Sequence, residues 1–334
     1  MLQRFEDLHL AKVAAAVPSE TEGVADWEVL FNDGWQAQLT EQTGIHSLRK
    51  SRLSTLDLGL AACRVLYAAG ERPNAIISVT QTPARQLPGN ASGIAAGMGW
   101  LAATNQAAPP CWDLQMGCAG MVWGLYQAAM LLQQPDTEEV LLVCAETHSR
   151  LLNPSNRATR LLFGDGASAM RICKKVGAGS WQFSLGSVPD VTNQLCTNPE
   201  GQLQMDGLGI FNFSIGEVAP ALEAFLKETG TAKAEVSQFL MHQASGFVLK
   251  YLQRMLQIPA EKMPLALDGY GNTASASIGI LLAHHFAGSS HLELQKALIA
   301  GFGSGLQWGM MLVDLSETEI HSVKYEERSE KNEV

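Results

Sequence analysis

The segment QMGCAGMVWG, residues 115–124, decides how this chain is read. A short apolar run, CWDLQ (111–115), enters Gly117-Cys118, and a pattern that is apolar nearly all round continues to residue 134. That is a strand, a glycine turn and a core helix, the unit of an α/β protein. Cys118 stands at the helix start, where the positive end of the helix dipole favours a thiolate. Gly117 and Gly120 permit the tight turn and the close packing it needs. The position suits a covalent nucleophile. The competing reading is a small buried hydrophobe, the usual fate of a free cysteine. Met116 excludes the GxSxG nucleophile elbow, whose first glycine would stand there.

The same alternation recurs outward from this point. NAIISVTQ (74–81), VLLVCAE (140–146) and KALIAGFG (296–303) read as buried strands. TLDLGLAACRVLYAAG (55–70), SGFVLKYLQRMLQ (245–257) and ASIGILLAHHF (276–286) carry apolar residues at helical spacing. Strands and helices fill both halves with no Pro/Ser-rich linker, and VGAGSWQF (176–183) is the best boundary. The reading is two halves, 1–175 and 176–316, and a charged tail, 317–334, expected to be disordered.

Composition supports a large core. Of 334 residues, 46% are hydrophobic and 17% charged, which excludes a disordered chain. The net charge of −10 argues against nonspecific binding to nucleic acid. Six cysteines form no CxxC pair, so no zinc ribbon or redox pair is indicated, and no metal site is expected. MLQRFEDLHLAKV lacks the apolar run of a signal peptide, and no stretch reaches the ~20 apolar residues of a membrane span. A soluble cytoplasmic protein with free thiols is expected.

Four further stretches carry chemistry. In FLMHQASG an apolar strand delivers His242 to a strand end, where it can act as acid, base or donor. In DGYGNTASASIG a turn places Asn272 before a helix, as a hydrogen-bonding amide or a simple cap. AGFGSGLQWG (300–309) is a glycine-rich strand end whose backbone N–H groups can approach a ligand. LLFGDGASAM (161–170) fits the GxGxxA spacing of a dinucleotide site, with Asp190 about 20 residues on. The helix that such a site requires does not follow, so this match is set aside. His284 and His285 read as structural, and His148 follows a strand with no partner in view.

Taken together and in this order, QTGI (42–45), LPGNAS (87–92), GCAG (117–120), NRATRLLFGDGAS (156–168), MHQA (241–244), GNTASAS (271–277) and FGSGLQWG (302–309) resemble one family. The sequence is similar to the β-ketoacyl-[acyl carrier protein] synthase III enzymes over about residues 8–315. The resemblance implies a five-layer αβαβα thiolase-like fold with two pseudo-repeated halves, in a homodimer. It implies a catalytic set of Cys118, His242 and Asn272, and an oxyanion hole from the backbone of Cys118 and Ser304. An acyl group passes from acyl-CoA or an acyl carrier protein to Cys118. A malonyl carrier then condenses with it, losing CO2, and no permanently bound cofactor is needed.

The resemblance also implies contacts to coenzyme A or phosphopantetheine at Trp35, Arg157, Phe211 and Ser245. Leu87 falls where the family lines the partner's acyl pocket, and Lys250 and Arg254 fall on a carrier-docking face. Gln42 stands where the family has arginine, which favours a carrier-bound acyl donor over coenzyme A. Two rivals remain at this point. One is acyl transfer to an oxygen or nitrogen nucleophile without decarboxylation. The other is a noncatalytic subunit of a heteromeric synthase.

Overall fold

A computed structural model describes residues 2–31, 36–101 and 107–325. The first half contributes β1 (Leu2–Glu6), β2 (Leu8–Pro18), α1 (Thr55–Leu66), β3 (Ala75–Val79), α2 (Asn90–Gly97), β4 (Cys111–Leu114), α3 (Gly120–Leu132), β5 (Glu139–Thr147) and β6 (Asp165–Lys174). The second contributes β7 (Ser180–Ser187), α4 (Ala219–Thr229), β8 (Gln238–Met241), α5 (Gly246–Met255), α6 (Ser277–Phe286), β9 (Ala297–Gly303), β10 (Gln307–Val313) and β11 (Glu319–Tyr325). The apolar runs read as strands and helices are those elements, although α1 stops at Leu66, short of the glycine at residue 70.

The strands form two mixed sheets, ordered β11-β2-β6-β5-β3-β4 and β1-β7-β10-β9-β8. One pairing pattern repeats. β3 is parallel to β5, then β5–β6 and β6–β2 are antiparallel. Likewise β8 is parallel to β9, then β9–β10 and β10–β7 are antiparallel. β5 is buried along almost its whole length because helices cover both faces of its sheet.

Three apolar cores define five layers. One core joins α1 and α2 to the outer face of the first sheet. Another fills the space between the sheets with α3 and α6. The last joins α4 and α5 to the outer face of the second sheet. The middle layer is tight: a Cβ on Gly279 of α6 would lie 2.3 Å from Ser168 Cβ of β6. The N-terminal ends of α3 and α6 also meet, since a Cβ on Gly120 would stand 3.7 Å from Ser275 Cβ. The outer helix α1 begins with a capping box between Ser54 and Asp57.

The chain ends correct two expectations. Residues 319–325 are not a disordered tail but strand β11, parallel to β2. Their charges face outward on an edge strand while Ile320 is buried, so the charge run hid a half-buried alternation. β11 thus joins the first sheet, and β1 joins the second through β7. Both ends cross the boundary expected at residues 175 and 176. Among the described residues, no helix is long and apolar enough to cross a membrane.

Candidate active site

Cys118 lies in the turn between β4 and α3 and is 4% exposed. Glycines make its space. A Cβ on Gly303 would stand 2.7 Å from Cys118 Cβ, and one on Gly301 would stand 2.8 Å from the Cys118 carbonyl oxygen. The expected thiolate is not what this site favours at rest. Burial pushes the thiol up to about 12, and the charge of Glu146 adds to that. The backbone N–H groups of Cys118 and Ser304 pull the other way without prevailing. Desolvation therefore outweighs the helix-start field.

His242 follows β8 and is 1% exposed. Its Nδ1 lies 2.8 Å from Ser277 Oγ at the start of α6, and the Gln243 N–H donates to that same oxygen. Ser277 then has one proton to give, and the open acceptor is Nδ1. That donation leaves the ring proton on Nε2, while the second lone pair of Ser277 Oγ lets it pair with Nδ1–H as well, so the contact holds the ring in place in either tautomer. Burial lowers the imidazole to about 3, opposed by the Ala274 backbone, so the ring is neutral at ordinary pH.

Asn272 sits beside the FGDGA stretch. Its N–H donates to the Leu162 carbonyl, and its own carbonyl accepts from Gly164 N–H. A Cβ on Gly164 would fall 1.9 Å from the Tyr270 carbonyl oxygen, so only glycine fits. Asn272 Nδ2 donates to the Ala244 carbonyl, and Oδ1 accepts from Ala274 N–H. The GxGxxA match is thereby explained structurally. A strand, β6, begins inside it at Asp165 and takes the place of the helix, and that buried Asp165 accepts hydrogen bonds from Ser51 and Ser149.

Two cavities meet at Cys118. The first, of about 230 Å³, is lined by Cys118, His242 and Asn272 together with Gln42, Phe211 and Ser245. The second, of about 310 Å³, is lined by Cys118, Gln81, His148 and Ser304 among others. Phe211 packs against Phe247 and Tyr251 of α5, with ring centroids 5.1 and 5.0 Å away. The Ser245 hydroxyl accepts from Val248 N–H as the cap of α5. Arg157 opens a short helix and is half-buried beside Ala158, which lines the first cavity. Lys250 and Arg254 are exposed on α5. Leu87 is 87% exposed and lines neither cavity. Trp35 lies outside the described residues.

Glu146 escaped the sequence reading, and His148 stood there without a role. Glu146, at the end of β5, is fully buried and accepts from Thr80, Gln81, Thr82 and Ser275. Burial lifts its carboxyl to about 7 against the pull of those donors. His148, two residues on, stacks on Phe163 with centroids 5.3 Å apart. The only available signal was a lone acidic residue closing an apolar strand.

Two repeated α/β halves that enclose a cysteine, a histidine and an asparagine are the architecture of the thiolase-fold condensing enzymes. Residues 112–189 match the family described as 3-oxoacyl-[acyl-carrier-protein (ACP)] synthase III, and residues 226–315 match its C-terminal part. The β-ketoacyl-[acyl-carrier-protein] synthase III of Lactobacillus delbrueckii subsp. bulgaricus is 33% identical over 301 residues, covering 85% of this chain and 91% of that protein. The same-named protein of Streptococcus equi subsp. zooepidemicus is 31% identical, covering 83% and 90%. The crystal structure of a 3-oxoacyl-(acyl-carrier protein) synthase from Burkholderia xenovorans superposes with a TM-score of 0.88 at 25% identity, covering 97% and 99%. The chain belongs to the β-ketoacyl-[acyl carrier protein] synthase III family. It is an acyltransferase of the condensing type.

Proposed function

We propose that Cys118 carries the acyl group and that His242 and Asn272 serve the malonyl partner. The supporting observation is the place of Cys118 at the junction of two cavities, one of which also holds His242 and Asn272. The pantetheine arm enters through the first cavity and the acyl chain lies in the second. In the first step the Cys118 sulfur bonds to the acyl carbon while the donor's C–S bond breaks. The Cys118 proton leaves with the departing thiol. A thiol held neutral at rest must lose its proton as it attacks, and that proton passes to the departing thiolate.

In the second step the malonyl thioester releases CO2, and its electron pair forms an enolate. Nε2–H of His242 and Nδ2 of Asn272 stabilise the enolate oxygen, each such donor being worth about 3 kcal/mol. The enolate carbon bonds to the acyl carbon, and Cys118 departs as the leaving group. Backbone N–H groups of Cys118 and Ser304 hold the oxyanion formed on the way. Carrier-bound malonyl and acyl thioesters are the substrates, with no permanently bound cofactor.

Phe211, Ser245 and Arg157 form the approach for the pantetheine arm or coenzyme A. Gln42 offers no charge to a phosphate, which favours the carrier-bound donor. Lys250 and Arg254, exposed and unpaired among the described residues, form the docking face for an acidic acyl carrier protein. Leu87, exposed and unused within its own chain, completes the acyl cavity of a second copy in a homodimer. The test is intact-protein mass after exposure to short acyl thioesters. An acyl adduct is expected on the parent and absent in Cys118→Ala. An adduct that survives in Cys118→Ala contradicts the assignment.

A further inference from the structure

The second cavity has an unsatisfied member. His148 is 2% exposed, and its Nδ1 is enclosed without a hydrogen-bond partner. The nearest carboxylate oxygen, Glu146 Oε2, is 3.9 Å away, too far for a hydrogen bond. Stacking on Phe163 at an interplanar angle of 28° fixes the ring plane. A buried polar group left without a partner is costly, and such groups call for an explanation. The rest of the lining is also rich in hydrogen-bonding groups: Gln81, Gln86, Gln115, Thr197 and Ser304. Gln81 donates to Ser304 Oγ, so the two already form one polar wall. Among the described residues, no Lys, Arg, Asp or Glu lines the cavity.

We propose that this cavity selects short acyl groups bearing a hydroxyl, with a ring nitrogen of His148 as the hydroxyl's partner. The inference rests on the reading that Cys118 carries the acyl group. A plain alkyl chain offers His148 and the glutamines nothing. A carboxylate-tipped chain finds no cation. A hydroxyl both donates and accepts, and so serves either tautomer of a neutral imidazole. Burial keeps His148 neutral by lowering it to about 4. The cavity, at about 310 Å³, is at the small end of the ~300–1,000 Å³ range of ligand pockets, which limits the chain. A site built to hydrogen-bond a hydroxyl discriminates strongly against the analogue lacking it.

The test compares rates of Cys118 acylation by N-acetylcysteamine thioesters of butyrate and of 2-, 3- and 4-hydroxybutyrate. At least one hydroxybutyryl donor is expected to react about tenfold or more faster than butyryl. In His148→Leu that ratio is expected to fall to one or below, and in His148→Gln to persist. A purely structural role for His148 slows all donors alike and leaves the ratio unchanged. Faster acylation of the parent by butyryl, or an unchanged ratio in His148→Leu, overturns the inference while leaving Cys118 as the acyl carrier. No adduct from any donor overturns both.

Discussion

Ser275 donates its hydroxyl proton to Glu146 Oε1 at 2.7 Å, and so ties the turn after Asn272 to the end of β5 in the other half of the molecule. The same carboxylate accepts from the loop after β3, through Thr80, Gln81 and Thr82. One buried acid therefore joins three segments that surround Cys118. Its charge also raises the Cys118 thiol.

Glu146→Gln is expected to change two pH profiles. The folded-state carboxyl titrates at about 7, above its ordinary value of 4.5. A raised value means that the folded chain keeps a proton the unfolded chain has released. The associated stability is complete below the unfolded value and lost as pH rises through 7, a loss of up to about 3 kcal/mol. Thermal unfolding of the parent at pH 5.5 and 8 should show that fall, and the variant should flatten it. Alkylation of Cys118 should also shift to lower pH in the variant. Identical pH dependence in parent and variant contradicts this role.

Ser277→Ala removes the hydroxyl beside His242 Nδ1. The imidazole then loses the partner that holds its ring in place. Steady-state assay should show kcat down about tenfold, the equivalent of one hydrogen bond of about 1.4 kcal/mol. The melting temperature should move by only a few degrees. An unchanged kcat means that Ser277 does not orient the ring.

Gly303→Ala sets a methyl group 2.7 Å from Cys118 Cβ. Acylation of Cys118, followed by intact mass, should fall at least tenfold. Unfolding free energy should drop by about 1–3 kcal/mol, the usual cost of overpacking a tight site. Normal acylation by this variant contradicts the packing described for the nucleophile.

A double charge reversal, Lys250→Glu with Arg254→Glu, tests the docking face. KM for a malonyl carrier protein should rise about tenfold at low salt and less at high salt. Turnover with malonyl-N-acetylcysteamine should not change, because that donor has no protein to dock. Equal effects on both donors place the two residues elsewhere in the chemistry.

The sequence carried much of this because Cys118, His242 and Asn272 each follow a glycine turn or an apolar strand end, features with local signatures. Their convergence was available only through the family likeness. Glu146 and His148 were not readable, since their meaning lies in what faces them: Ser275 for one, Phe163 and a cavity for the other. The thiolate expectation failed because a local pattern shows a helix start but not how deeply the sulfur is buried. Strand β11 was hidden by its outward charges, and the crossing of both chain ends between sheets leaves no local mark.

Carbon–carbon bond formation through acyl-Cys118 is the reaction that joins these residues. The direct measurement is the mass of the carrier after the acylated protein meets a malonyl carrier protein. The expected product is a 3-oxoacyl carrier with release of CO2, lost in Asn272→Ala although Cys118 is still acylated. An acyl-Cys118 that leaves the malonyl carrier unchanged, or passes its acyl group only to an oxygen or nitrogen nucleophile, contradicts it.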